Sequence, residues 1–138
     1  MQKLHTPVKR RDNVIPKFRA FLIEAKTMRD VVGIDFVRNM YCLQVGRATI
    51  GEWFWYRDLE LMQSTGLKDK NGVEIFEGDV VEGLGHRGIV EFVLNNQQTM
   101  IIGASGYITD LDYSTDFNTE VIGNIHENPK LLVQANEN

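Results

Sequence analysis

The feature that most restricts this chain is the spacing of its apolar residues. From Lys17 onward they come in short runs or alternations bounded by Gly, Asn and Asp. Such a pattern fits half-buried strands of a few residues and leaves no room for long amphipathic helices. The strand candidates are Phe18–Ile23, Val31–Val37, Met40–Val45, Glu52–Tyr56, Leu59–Ser64, Val73–Phe76, Asp79–Val81, Gly88–Val93, Thr99–Ile102, Tyr107–Leu111 and Glu120–Ile125. The expected fold is mainly β: a small bent-sheet pseudo-barrel of short antiparallel strands with at most one or two short helical turns. Asn128-Pro129 marks the start of one such turn, with Asn as the cap and Pro at the first helical position.

Local signals place the connections. Asn71-Gly72 is the favoured central pair of a type I′ hairpin, in which both residues take positive φ. Gly78-Asp79 follows Ile75-Phe76-Glu77 and precedes Val80-Val81, so a bend is expected there before the chain resumes as a strand. A glycine-rich stretch at 83–88 then joins two antiparallel neighbours. At 138 residues, with 43% hydrophobic and 25% charged side chains, the chain is expected to be one soluble domain with a sizeable core. That domain spans 15–133, after a poorly ordered basic arm at 1–14 and before a polar tail at 134–138. No apolar run approaches a membrane span or a secretory leader, so the expectation is a cytoplasmic protein with no membrane partner.

Charge is unevenly divided. Residues 1–30 carry eight basic and three acidic side chains, and the remaining 108 carry seven basic and sixteen acidic ones. A basic segment of this kind either contacts a polyanion or lies against the acidic body of its own or a neighbouring chain, and the second reading is favoured. Lys3, Lys9, Arg10, Arg11, Lys17 and Arg19 are the candidate contacts for either.

Gly83-Leu84-Gly85-His86-Arg87-Gly88 spells a dinucleotide fingerprint, but a strand follows where a helix would have to face the pyrophosphate. It reads as a hairpin loop. Asp110, Asp112, Ser114 and Asp116 resemble the start of a calcium loop, yet Thr115 and Val121 stand where that loop needs Gly and Glu. His5, His86, His126 and Cys42 have no ligand spacing, a lone cysteine excludes an internal disulfide, and no Ser or Thr sits in a nucleophile elbow. Cys42 reads as a small core residue. The expectation is no catalytic residue, no cofactor and no metal.

Trp53-Phe54-Trp55-Tyr56 is the densest aromatic run. On a strand, Trp53 and Trp55 share one face, and Phe54 and Tyr56 the other. Burial in the core or in a subunit interface is favoured over stacking on bases, and Trp53, Trp55 and Tyr56 are the candidate interface residues.

The segment Met62-Gln63-Ser64-Thr65-Gly66-Leu67-Lys68-Asp69-Lys70-Asn71-Gly72-Val73-Glu74-Ile75-Phe76-Glu77-Gly78-Asp79-Val80-Val81 closely resembles the signature of the YopX family of phage and prophage proteins. The opening Lys17-Phe18-Arg19-Ala20-Phe21 and the closing Glu120-Val121-Ile122-Gly123-Asn124-Ile125-His126-Glu127-Asn128-Pro129 are similar to it as well. Phe21 stands where the opening motif usually has Trp, and Ser64 where an aromatic often precedes Thr-Gly-Leu. The resemblance implies a β-rich pseudo-barrel, a phage or prophage origin and a tendency to form higher oligomers, with no established biochemical activity. The resulting expectation is a non-catalytic, self-assembling accessory protein with an unidentified protein partner. A nucleic-acid-binding module that uses the basic N-terminal region is the alternative.

Overall fold

A computed structural model describes residues 17–47, 50–83, 85–93, 98–103, 106–111 and 118–131. The alternation becomes eleven strands: β1 (Phe18–Leu22), β2 (Thr27–Asp35), β3 (Met40–Gln44), β4 (Gly51–Trp55), β5 (Leu59–Lys68), β6 (Glu74–Phe76), β7 (Asp79–Gly83), β8 (His86–Val93), β9 (Gln98–Gly103), β10 (Gly106–Asp110) and β11 (Glu120–Asn124). A 3-10 turn, Tyr56–Asp58, joins β4 to β5. Near the C-terminal end, Lys130 and Leu131 take helical geometry, and the Leu131 N–H donates to the Asn128 carbonyl at 3.1 Å.

All pairings are antiparallel. One sheet has six strands in the order β4-β3-β2-β1-β5-β6 and the other has five in the order β10-β9-β8-β7-β11. Neither closes into a barrel, so the molecule is a pair of bent open sheets. Register shifts at Val31/Gly33 and Ser64/Lys68 in the first sheet, and at Tyr107/Thr109 and Val121/Gly123 in the second, supply local bends. The shift in β5 also carries that strand through Thr65-Gly66 as far as Lys68.

Two apolar clusters form, one within the six-stranded sheet and one to which both sheets contribute, through Ile75 of β6 on one side and Val81, Val90 and Ile101 on the other. Ala20, Leu22, Leu43 and Leu59 are buried together, flanked by Val31, Tyr41 and Phe54, and every one of them comes from β1 to β5. Ile75, Val81, Val90, Ile101 and Leu111 form the second cluster, with Leu67, Ile108 and Val121 against it. Strand β5 serves both, through Leu59 at its start and Leu67 near its end. Between the clusters Phe21 and Met62 are buried on the opposite face of β1 and β5 from Ala20 and Leu59. Buried apolar side chains on both faces of these central strands explain why their sequences read as runs where the outer strands alternate.

The hairpin at Asn71-Gly72 forms by a different route from the one its sequence predicts. Gly72 takes positive φ (81°), and Asn71 does not. The Asp69 carboxylate decides this: Oδ1 accepts the N–H of Asn71 at 2.8 Å and of Val73 at 2.9 Å. The Gly72 N–H donates to the Asp69 carbonyl at 3.0 Å, which closes the turn on Asp69 and leaves one left-handed residue in place of two. The bend expected at Gly78 is present, with φ of 86°. In the 83–88 stretch Gly83 pairs with His86, and the chain continues from His86 as strand β8 where a dinucleotide loop would need a helix.

Candidate interaction surface and the signature junction

The three segments that carry the resemblance meet in one place. From the opening segment, Arg19 Nη2 pairs with Asp79 Oδ1, and the guanidinium lies 4.4 Å from the Phe76 ring centroid. Asp79 Oδ2 accepts the Phe76 N–H at 2.8 Å. Lys17 Nζ lies 3.0 Å from Glu74 Oε1, and the Ser64 hydroxyl donates to the other oxygen of that carboxylate. From the closing segment, the His126 ring stacks on Phe21 with centroids 5.2 Å apart. The Ile125 N–H reaches the Gly78 carbonyl at 2.9 Å, and the Gly78 N–H reaches Val90 at 2.9 Å. Positive φ at Gly78 lets its two backbone groups serve β8 and the turn after β11 at once.

Asp69 ties the same region together from the other side. Its Oδ2 accepts the Val121 N–H at 2.9 Å, and the Lys70 N–H donates to the Thr119 carbonyl at 2.9 Å. Burial pushes the Asp69 carboxyl up, but the N–H groups of Val121, Val73 and Asn71 and the Lys70 charge outweigh it and hold the pKa below the ordinary value. Asp79 goes the other way: its burial raises the pKa against the pull of the Phe76 N–H and Arg19, and the Asp69 charge adds to the rise. Asn124 is buried and accepts the N–H groups of His126 at 3.0 Å and Glu127 at 2.8 Å. Asp69, Asp79 and Asn124 thus spend acceptor capacity on one another's neighbours and on backbone, while Arg19 Nε stays buried without a partner. Their arrangement is that of a clasp between two sheets.

The opposite end of the six-stranded sheet has a different character. At the β2–β3 turn Phe36 and Val37 are 87% and 93% exposed. The turn beneath them is firmly built: Asp35 Oδ1 accepts the N–H groups of Val37 and Arg38 at 3.0 Å each, and Oδ2 meets Arg38 Nη1 at 2.7 Å. The Arg38 N–H and guanidinium are the main causes that lower the Asp35 pKa. Beside the turn, Trp55 pairs with Met40 across the ladder and the Tyr56 N–H donates to the Asn39 carbonyl at 3.1 Å.

In β4 the expected alternation holds for its first three aromatics. Phe54 turns toward the Leu43 cluster, and Trp53 and Trp55 take the other face, 49% and 44% exposed. Tyr56 belongs to the 3-10 turn and is 56% exposed. The structure therefore places Trp53 and Trp55 on the terminal strand of the sheet, Tyr56 in the 3-10 turn that follows it, and Phe36 and Val37 in the β2–β3 turn, all exposed toward the same end.

The basic candidates are split. Lys17 and Arg19 face Glu74 and Asp79, and Lys3, Lys9, Arg10 and Arg11 lie outside the described residues, as do Asp112, Ser114 and Asp116. Cys42 is buried as a free thiol. Sequence reasoning missed Asp69 and Asp79, whose partners in β11 and β1 are 52 and 60 residues away. An acidic residue beside a turn glycine and flanked by apolar strands was the available signal. Among the described residues no three His, Cys, Asp or Glu side chains are grouped to hold a metal ion. No helix among them is long and apolar enough to cross a membrane.

Comparison with known proteins agrees with this layout. No curated protein matches the chain. The crystal structure of protein EF1440 from Enterococcus faecalis is similar with a TM-score of 0.53 and 32% sequence identity, covering 86% of this chain and 98% of that one. The family described as YopX protein matches residues 17–133, a span that contains both the clasp and the aromatic end. The chain belongs to the YopX family.

Proposed function

We propose that the protein is a non-catalytic, self-assembling accessory protein of a phage or prophage, working as a protein-interaction module in the cytoplasm of its bacterial host. The observation that carries this reading is the apolar end of the six-stranded sheet, where Phe36, Val37, Trp53, Trp55 and Tyr56 stand exposed on β4 and the turns beside it. Scattered apolar residues are ordinary on any surface, but aromatic anchors gathered on a terminal strand are the composition of an interface core. The signature supports the non-catalytic part, since Asp69, Asp79 and Asn124 already act as structural acceptors.

The test is the molar mass in solution. Light scattering at micromolar concentration is expected to give a mass well above the 15.8 kDa of one chain. Removal of residues 1–14 should leave the fold intact and weaken assembly, because the basic arm then no longer reaches an acidic body. A nucleic-acid-binding module predicts the reverse. The full chain would shift DNA or RNA in a gel with steep salt dependence, and the truncation would lose that affinity. Tight, salt-sensitive binding that vanishes with the arm would replace this reading by the alternative.

A further inference from the structure

The geometry points to a particular mode of self-assembly: the open edge of β4 pairs antiparallel with β4 of a second copy, about a two-fold axis through Trp53. The inference rests on the self-assembly reading above and adds to it the strand, the register and the partner.

The edge is available. Strand β4 ends the six-stranded sheet, with β3 on one side and no strand on the other among the described residues. The Val45 N–H donates to the Ile50 carbonyl at 3.3 Å and the Tyr56 N–H to Asn39 at 3.1 Å. The alternation of an antiparallel ladder then turns the backbone groups of Ile50, Glu52, Phe54 and Tyr56 toward β3 and those of Gly51, Trp53 and Trp55 outward. Unpaired strand edges of this kind template another strand unless they are blunted. Among the described residues no proline, bulge or lysine blunts β4, and its one charge, Glu52, is paired with Arg29 of the same chain.

The register follows from which backbone groups face out. Only outward positions can form hydrogen-bonded pairs across the new seam, and the two-fold must map the strand onto itself. Centring the axis on Trp53 pairs Trp53 with its own counterpart and Gly51 with Trp55 of the second copy in both directions, so every outward group is used. A shift by one allowed step leaves one outward residue of each strand unpaired.

Side chains fit this register. Trp55 of the second copy comes opposite Gly51, where a Cβ would collide with Cys42 Sγ and where the sheet therefore carries no side chain. On the other face Glu52 of the second copy comes beside Phe54. The Arg29 guanidinium sits 5.8 Å from that ring, and its Nη1 is buried without a hydrogen bond, 3.6 Å from Glu52 of its own chain. Pairing brings each Arg29 a second carboxylate and buries two pairs of tryptophans, which are the side chains best suited to anchor an interface.

The experiment uses the full chain with Cys42→Ala, so that a cysteine introduced elsewhere is the sole thiol. Trp53→Cys places two thiols across a hydrogen-bonded pair, at a Cα separation of about 5.5 Å that a disulfide spans. Mild oxidation is expected to give a covalent dimer on a non-reducing gel, and Glu24→Cys in the β1–β2 turn is expected to give none. In a second variant, Trp53→Pro removes an N–H that faces away from β3, so the ladder survives, as circular dichroism would verify, and the mass should fall at least twofold. A wild-type protein that assembles while Trp53→Cys stays uncrosslinked and Trp53→Pro keeps its mass would overturn the edge pairing and leave self-assembly standing through another face. A monomeric wild type would overturn both.

Discussion

The clasp and the aromatic end lie in one chain, yet they use the same kinds of residues in opposite ways. At the clasp, charged side chains are buried and partnered: Arg19 with Asp79, and Asp69 with the N–H groups of three residues. At the β2–β4 end, apolar side chains are exposed and Asp35 holds a turn whose tip is Phe36 and Val37. Polar groups inside and apolar groups outside both run against the usual preference, and each inversion needs a reason. Inside, the reason is that apolar packing between the sheets is non-directional, and the bonds of Arg19, Asp79 and Asp69 fix how the two sheets meet around the cluster they share. Outside, the proposed association with another chain would offset the cost of leaving aromatics in water. The signature segments therefore specify architecture, and the proposed interaction surface lies between them in sequence.

The sharpest way to break this contrast is to cut the clasp. Asp79→Ala leaves the Arg19 guanidinium and the Phe76 N–H without an acceptor in a buried site. The expected loss is about 3–5 kcal/mol in chemical denaturation, because an unpaired buried charge costs more than its pair contributes. A loss under about 1 kcal/mol would show that the junction does not hold the sheets together.

A smaller effect is expected at Asp69. In Asp69→Asn one oxygen still accepts, but the amide nitrogen cannot take the Val121 N–H, so the loss is about 2 kcal/mol. The pH dependence carries a sign. The folded-state pKa of Asp69 is lowered, so the unfolded chain binds the proton more readily and stability rises with pH across the interval between the two values. The contribution is complete above the ordinary carboxyl pKa near 3.8 and is lost as pH falls through the lowered one. Asp79, with its pKa raised, contributes the opposite slope above the ordinary value. Denaturation as a function of pH should therefore show a steeper acid limb in the wild type than in Asp69→Asn. Equal limbs would remove Asp69 from the clasp.

Gly72→Val probes the turn that Asp69 organises. Nothing lies within 4 Å of a Cβ built there, so the penalty is conformational alone, about 1–2 kcal/mol for a β-branched residue at φ of 81°. An unchanged melting curve would mean that the turn accommodates a right-handed residue. Smallest of all, Val37→Lys at the exposed tip should alter stability by no more than about 0.5 kcal/mol, since that side chain is almost wholly in solvent.

Sequence periodicity carried most of the architecture. Each of the eleven strands overlaps a segment anticipated from short alternations and breakers, because strand formation here is governed by local pattern. The failures are equally physical. Strand β5 runs past Thr65-Gly66 because the Thr65 hydroxyl donates to the Ile75 carbonyl at 2.7 Å and the register slips to absorb the glycine, which no local rule foresees. The Asn71-Gly72 turn took its form from a carboxylate two residues earlier. Arg19 reads from its neighbours as one more base in a basic segment, and only the pairing of β1 beside β5 and the bend at Gly78 bring it to Asp79. For the aromatic run, alternation separates Phe54 from Trp53 and Trp55, but which face meets the core depends on strands far away in sequence.

The division between a clasp that folds the chain and an end that joins it to other chains is tested most directly by the light-scattering mass of Val37→Lys/Trp55→Lys beside that of the wild type. Both changes lie outside the signature segments and both side chains are exposed, so the melting curve and circular dichroism should stay close to those of the wild type. The account predicts a wild type well above 15.8 kDa and a variant that falls toward that single-chain mass. A variant that keeps the full wild-type mass, or a wild type that is itself monomeric at micromolar concentration, would contradict it.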